Sequence, residues 1–164
     1  MVSYTNSTQL VIATSMRLLN ALILSSLLLV SGCKKDDPAP EPTEQERVTA
    51  LLTSGSGTWI PKGGGGITTQ GIDVTADLFK DFTIRFTPTQ IFTTGTTPVW
   101  LRLDTWRFKP GSAEVIVRGQ DTQEISIETI SETELVLTLV WDETTFEGGR
   151  SGSLAGEYEF VLSK

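Results

Sequence analysis

One thiol, Cys33, and 20 Asp and Glu carboxylates are the groups with which this 164-residue chain could do chemistry, because it contains no histidine. Without imidazole there is no Ser-His or Cys-His nucleophile pair and no His-ligated zinc, haem or copper. A single cysteine forms neither an internal disulfide nor a cysteine-rich metal knuckle, so it has to act alone. Two carboxylates would suffice for glycoside hydrolysis. The acids here, such as Glu157 and Glu159, fall instead on outward positions of strand-like segments, and we expect no catalytic activity. No Asp-x-Asp-x-Asp-Gly calcium loop is present. Gly63–Gly66 is followed by neither Lys-Ser/Thr nor a helical pattern, which makes it a loop and not a phosphate cradle. No cofactor is expected. The formal charge of -7 leaves no Lys/Arg surplus to neutralise phosphates, which excludes nucleic acid as a partner.

The surroundings of Cys33 give it a role. Leu18 to Val30, LLNALILSSLLLV, is a run of 13 uncharged residues after Arg17. It is shorter than the roughly 20 apolar residues that span a bilayer and has the length of an export-signal core. Residues 1–15 carry no basic side chain, whereas Met16-Arg17 would open a compact signal, so the expected start is Met16. The run ends in Val30-Ser31-Gly32-Cys33, which resembles the bacterial lipobox. That resemblance implies a signal peptide over 1–32, diacylglycerol on the Cys33 thiol and palmitate-type acylation. One acyl chain anchors marginally at ~0.8 kcal/mol per buried CH₂, and two or three anchor stably. Lys34-Lys35-Asp36-Asp37 resembles the surface-export signal beside the lipidated cysteine of Bacteroidota-type lipoproteins. It implies display on the cell surface; the periplasmic leaflet of the outer membrane is the alternative. Residues 33–43 form the anchor and a tether in which Pro38, Pro40 and Pro42 alternate, favouring polyproline II at ~3.1 Å per residue. Cleavage before Cys33 removes only Arg17 among the charged residues, taking the charge from -7 to -8.

The remaining domain, residues 44–164, begins with one short helix and continues in strands. Thr43 and Glu46 have capping-box spacing ahead of EQERVTALLT, whose Val48, Leu51 and Leu52 share a face. Period-two alternation then places Phe82, Ile84 and Phe86 on one side of residues 81–87, and Leu135, Leu137, Leu139 and Trp141 on one side of 134–142. It does the same for Ile125 and Ile127, and for Tyr158, Phe160 and Leu162. One dry and one wet face per strand is the mark of an antiparallel sheet covered on one side. About eight strands are expected, over 57–61, 81–87, 90–94, 99–108, 113–118, 123–130, 134–142 and 157–163. Short connections such as Lys109-Pro110-Gly111-Ser112, a type II turn, indicate an all-β up-and-down meander. It removes its exposed edges most simply by closing into a barrel, with an open β-sandwich as the alternative.

Gly57-Thr58-Trp59 at the first strand, and the ending Gly156-Glu157-Tyr158-Glu159-Phe160, resemble the lipocalin-like domains of Bacteroidota-type outer-membrane lipoproteins. The resemblance implies a small barrel whose Trp59 closes one end under a basic side chain, for which Arg150 is the nearest match in order along the chain. An eight-stranded barrel either fills itself or holds one small ligand. The large inward residues, with Trp106 and Phe108 among them, favour a mostly filled interior. Any opening is expected beside two long loops, Lys62–Gly71 and Glu143–Ala155. Candidate ligand-binding residues are Trp59, Phe92, Trp100, Phe146 and Arg150; Phe92, Trp100 and Phe146 lie near loops or edges. Two functions fit: a surface lipoprotein binding a small apolar or amphiphilic ligand or a partner at its loop end, or a non-catalytic structural or adhesive envelope module with a filled barrel.

Overall fold

The computed structural model describes residues 40–147 and 150–164. The signal, Cys33 and Lys34-Lys35-Asp36-Asp37 therefore lie outside the described residues. Helix α1 (Glu44–Thr53) starts at Thr43, whose hydroxyl accepts from Glu46 N–H at 3.2 Å while the Glu46 carboxylate accepts from Thr43 N–H at 2.7 Å. Two otherwise orphaned donors are thereby satisfied. Val48 and Leu52 are the buried positions of the helix.

Twelve strands follow, and eight of them close a barrel. These are β1 (Thr58–Pro61), β4 (Thr83–Phe86), β5 (Gln90–Thr94), β6 (Leu103–Phe108), β7 (Val115–Arg118), β8 (Glu124–Ile130), β9 (Glu134–Trp141) and β12 (Gly156–Ser163). Each is antiparallel to its neighbours, and β1 pairs with β12, so no open sandwich forms. These eight correspond one for one to the eight expected from alternation. Along β9 the expected dry row Leu135, Leu137 and Leu139 is buried and Val140 is exposed, and along β12 Tyr158, Phe160 and Leu162 are buried. The Lys109–Ser112 turn is closed by Ser112 N–H donating to Lys109 C=O at 3.0 Å, with Gly111 at φ +80° as its second central residue. Residues Glu41–Lys164 make up one compact unit.

The two expected long loops are not loops throughout. After β1, a 3-10 turn at Lys62–Gly64 leads into β2 (Ile67–Thr69), β3 (Ile72–Asp73) and a one-turn helix α2 (Thr75–Leu78). Pro61 lies opposite Leu162 and Ile67 opposite Phe160, so residues 62–66 are an excursion spanning a single β12 residue, Val161. Val161 N–H donates to Gly66 C=O at 2.7 Å, and a Cβ on Gly66 would stand 2.7 Å from Val161 O. Glycine is required there by close backbone approach as well as by φ +91°. The second segment carries a hairpin, β10 (Thr145–Glu147) with β11 (Arg150–Ser153). Alternation missed these pieces because strands of two to four residues are too short to show a period.

The capping carboxylate supplies a pH test. Glu46 has its pKa lowered by the backbone N–H of Thr43, then by the Thr43 hydroxyl. A carboxylate with a lowered folded pKa stabilises above its unfolded value, and the contribution is lost as pH falls through the folded value. Thr43→Ala should lower stability by about 1 kcal/mol at neutral pH. For Glu46→Ala, chemical denaturation from ~pH 6 down to ~pH 3 should show the difference from the parent shrinking as Glu46 is protonated; a constant difference would contradict the carboxylate's part in the cap.

Candidate functional site at the barrel mouth

The two ends of the barrel are closed in different ways. At the α1 end, Trp59 is fully buried and its indole N–H donates to Leu52 C=O at 3.0 Å. Lys164 Nζ sits 4.2 Å from the centre of the Trp59 ring, donates to Leu51 C=O at 3.1 Å and contacts Ser54 Oγ. The ammonium therefore caps the C-terminus of α1 and stacks on the tryptophan at once. Burial lowers the Lys164 pKa and the charge of Glu132 opposes that shift. The basic partner implied for Trp59 is thus supplied by Lys164, beyond β12; Arg150 lies on β11 with its backbone opposite Glu147. The signal for Lys164 was its parity, since it continues the inward row Tyr158, Phe160, Leu162.

At the other end, the mouth, the connection Gly95–Arg102 folds over the opening. Thr97-Pro98-Val99-Trp100 makes a tight turn, Trp100 N–H donating to Thr97 C=O at 3.2 Å, with proline where its fixed φ suits the first central position. The turn drives Val99 and Trp100 into the core, so β6 begins at Leu103 and not at residue 99. Trp100, expected at a rim, is only 4% exposed. Its ring packs edge-on to Phe160 at 5.4 Å and tilted against Phe82 at 6.5 Å. Phe79, from the end of α2, packs against Phe82, Tyr158 and Phe160. The Tyr158 hydroxyl donates to Leu154 C=O at 2.8 Å, and burial raises its pKa.

At the mouth ends of β6 and β7 stand two buried charged residues that alternation could have revealed. Asp104 and Arg118 share the inward parity of Trp106 and Ile116 on β6 and β7. Arg118 is 1% exposed; its Nη1 donates to Val99 C=O at 2.7 Å, and its Nε donates to Asp121 Oδ1 at 3.0 Å with Nη2 on Oδ2. Its guanidinium lies 5.5 Å from the Trp100 ring centre. Asp104, 2% exposed, accepts from Gln120 N–H at 3.1 Å and Thr105 N–H at 2.7 Å through Oδ1. Its Oδ2, Trp100 Nε1 and Thr69 Oγ1 are buried with no hydrogen-bond partner among the described residues. All three belong to the mouth.

No family model, curated protein or solved structure matches this chain. The site therefore has to be read from its own chemistry. Among the described residues no His, Cys, Asp or Glu group is arranged to hold a metal ion.

Three described clefts border the unit. One of about 500 Å³ is lined by Ile60, Pro61, Ala76, Phe79 and Phe82, with Gly64, Thr75, Lys80 and Asp81 completing it. Ile60 is 47% exposed, a large apolar side chain presented to solvent inside that cleft. A second, about 220 Å³, collects Asp121, Gln123, Trp141, Asp142 and Glu143. A third, about 530 Å³, lies between α1 and Phe108 and is bordered by Gln45, Glu46, Thr49 and Ala50. Of the other expected binding residues, Phe92 is half-buried on the outer wall beneath the Arg85 guanidinium at 4.2 Å, away from the mouth core. Phe146 is on β10, and the side chains of Phe146 and Arg150 lie outside the described residues. The structure brings together Trp100, Phe79, Phe82, Phe160 and Arg118; of Trp59, Phe92 and Trp100, the expected residues whose side chains are described, it places only Trp100 there.

Replacing Lys164 by Met should lower stability by about 1 kcal/mol, the sum expected for an exposed cation-π contact and a helix C-terminal cation. Chemical denaturation measures this loss. An unchanged midpoint would show that Trp59 and α1 do not depend on the ammonium.

Proposed function

We propose that the chain is a lipid-anchored, non-catalytic envelope protein whose lipocalin-like barrel binds a small apolar or amphiphilic molecule in the cleft beside its mouth. The observation that carries the binding half is the roughly 500 Å³ cleft of Ile60, Pro61, Ala76, Phe79 and Phe82 with Lys80 and Asp81. Ligand sites combine such an apolar lining with a few polar groups that fix orientation, and this volume falls in their ordinary range. Lys80 offers a cation to an anionic head group, and the phenylalanines offer a floor to an apolar body. The anchoring half rests on Cys33 at the end of its apolar run and on the lipobox resemblance. The charged tetrapeptide after it supports display on the outer-membrane surface, at the end of the proline-rich tether.

A second reading is favoured by the interior itself. Trp59, Phe79, Phe86, Tyr158 and Phe160 are at most 2% exposed and occupy the space where a lipocalin-type ligand would sit. A filled barrel suits a structural or adhesive module that docks another envelope protein.

Titration with 1-anilinonaphthalene-8-sulfonate, an anionic amphiphile, separates the two. Saturable binding that falls at least about tenfold in Ala76→Trp, a loss of ~1.4 kcal/mol, supports the cleft. Absent binding, or binding indifferent to Ala76→Trp, favours the module. Membrane partition of Cys33→Ala tests the anchor: the variant should be released into the soluble fraction, and its retention would refute lipid attachment.

A further inference from the structure

The Trp100 indole occupies a chamber it does not fully satisfy. Its ring is held by Phe82 and Phe160 and faces the Arg118 guanidinium, but its N–H has no acceptor among the described residues. A buried donor left without a partner loses its hydration with nothing gained in return. By contrast, the N–H of Trp59 at the opposite end and that of Trp106 are both bonded to carbonyls, at 3.0 and 2.9 Å. The backbone that carries Trp100 is irregular. It leaves β5 through Gly95, at φ +74°, and rejoins the barrel at Leu103.

Two buried side chains fasten the segment, Arg118 through Val99 C=O and Thr93 through Leu101 C=O. Its remaining ties are backbone bonds to the strand and turn that flank it. Thr96 N–H donates to Lys80 C=O at 2.8 Å, and Thr93 N–H donates to Arg102 C=O at 3.0 Å. The ion-pair partner of Arg118, Asp121, has a side chain 33% exposed, so this fastening reaches solvent at the rim. Phe82 belongs both to the Trp100 seat and to the floor of the 500 Å³ cleft. Withdrawal of the indole would therefore leave a space bounded by a residue that the cleft already exposes.

We propose that Gly95–Arg102 is a lid over the barrel mouth with Trp100 as its displaceable plug, and that a flat aromatic guest takes the indole's seat between Phe82 and Phe160. The proposal deepens the cleft-binding reading and rests on it. The class of guest follows from the seat: it is bounded by aromatic faces and edges at 5.4–6.5 Å and by a guanidinium, which accept a planar π-system. The guest need not donate a hydrogen bond where the indole wastes one. Opening costs the Arg118–Val99 bond, the burial of Val99 and Trp100 and those of the Thr93 and Thr96 ties that are released; it removes from the interior an N–H that has no acceptor among the described residues.

Hydrogen exchange on the full chain, with indole as the probe, tests this. In the free protein the amides of Thr96 and Trp100 should exchange at least about tenfold faster than those of β9, because they open locally and not with the whole barrel. Saturating indole should accelerate lid exchange further and leave β9 and β12 unchanged. Trp100→Ala, which keeps the backbone ties of the lid, should bind indole at least about tenfold more tightly, and Trp100→Phe should retain the cooperative unfolding of the parent. Lid amides that exchange only at the global rate would overturn the proposal. So would a cooperatively folded Trp100→Ala that gains no indole affinity. If 1-anilinonaphthalene-8-sulfonate binds in an Ala76-dependent manner while indole leaves the lid amides unmoved, the cleft reading stands and the lid falls.

Discussion

Closure of the sheet on β12 is the constraint from which the rest of the structure follows. A meander that ends without a partner exposes a row of unpaired N–H and C=O groups along each edge. β12 removes both edges at once, pairing with β9 over all eight of its residues and presenting its other side to β1 and β2. β1 alone is too short to cover it, at four residues against eight. The chain therefore leaves the strand at Lys62, returns at Gly66 through its bond to Val161, and resumes as β2. The run of four glycines is what lets the excursion turn so tightly against a neighbouring strand.

Closing eight short strands also fixes the interior. The inward residues of a barrel this size meet across its axis, and here those residues are Trp, Phe, Tyr, Ile and Leu, which fill it. Binding capacity is consequently displaced from the axis to the mouth, where α2 and the Gly95–Arg102 connection lie across the strand ends. Phe79 and Trp100 enter the barrel from those non-strand segments. Both meet the same residue of the closing strand, Phe160, so the mouth and the closure are built on one side chain.

Alternation made the barrel legible because most of the eight strands have one wet face and one dry face; β7, buried at Ile116, Val117 and Arg118 alike, departs from it, and Thr93 of β5 lies on the dry side. The mouth was not legible in the same way. Trp100 lies in a Pro-containing turn, and no period connects it to the strand it precedes; its burial is decided by Phe82, Phe160 and Arg118, which are distant in sequence. Lys164, Asp104 and Arg118 were legible in principle, since each has the parity of its strand's inward row. Charge obscured them, because a charged residue near a strand end is ordinarily solvated. Arg118 stays inside because Val99 C=O and Asp121 satisfy its guanidinium, and neither partner can be inferred from spacing alone.

The two barrel ends differ most in how completely their buried polar groups are paired. At the α1 end the indole of Trp59 and the ammonium of Lys164 both finish on carbonyls of the last helical turn, Leu52 and Leu51. Helix, first strand and last strand are thereby tied by groups whose hydrogen bonds are made, so separating them exposes costly orphans. At the mouth Trp100 Nε1, Asp104 Oδ2 and Thr69 Oγ1 are buried without partners among the described residues, and a buried polar group left without a partner is costly. The barrel is thus well paired where α1 caps it and incompletely paired where the lid covers it. Local opening follows the smaller cost, which is why the proposed lid belongs at the mouth and not at the α1 end.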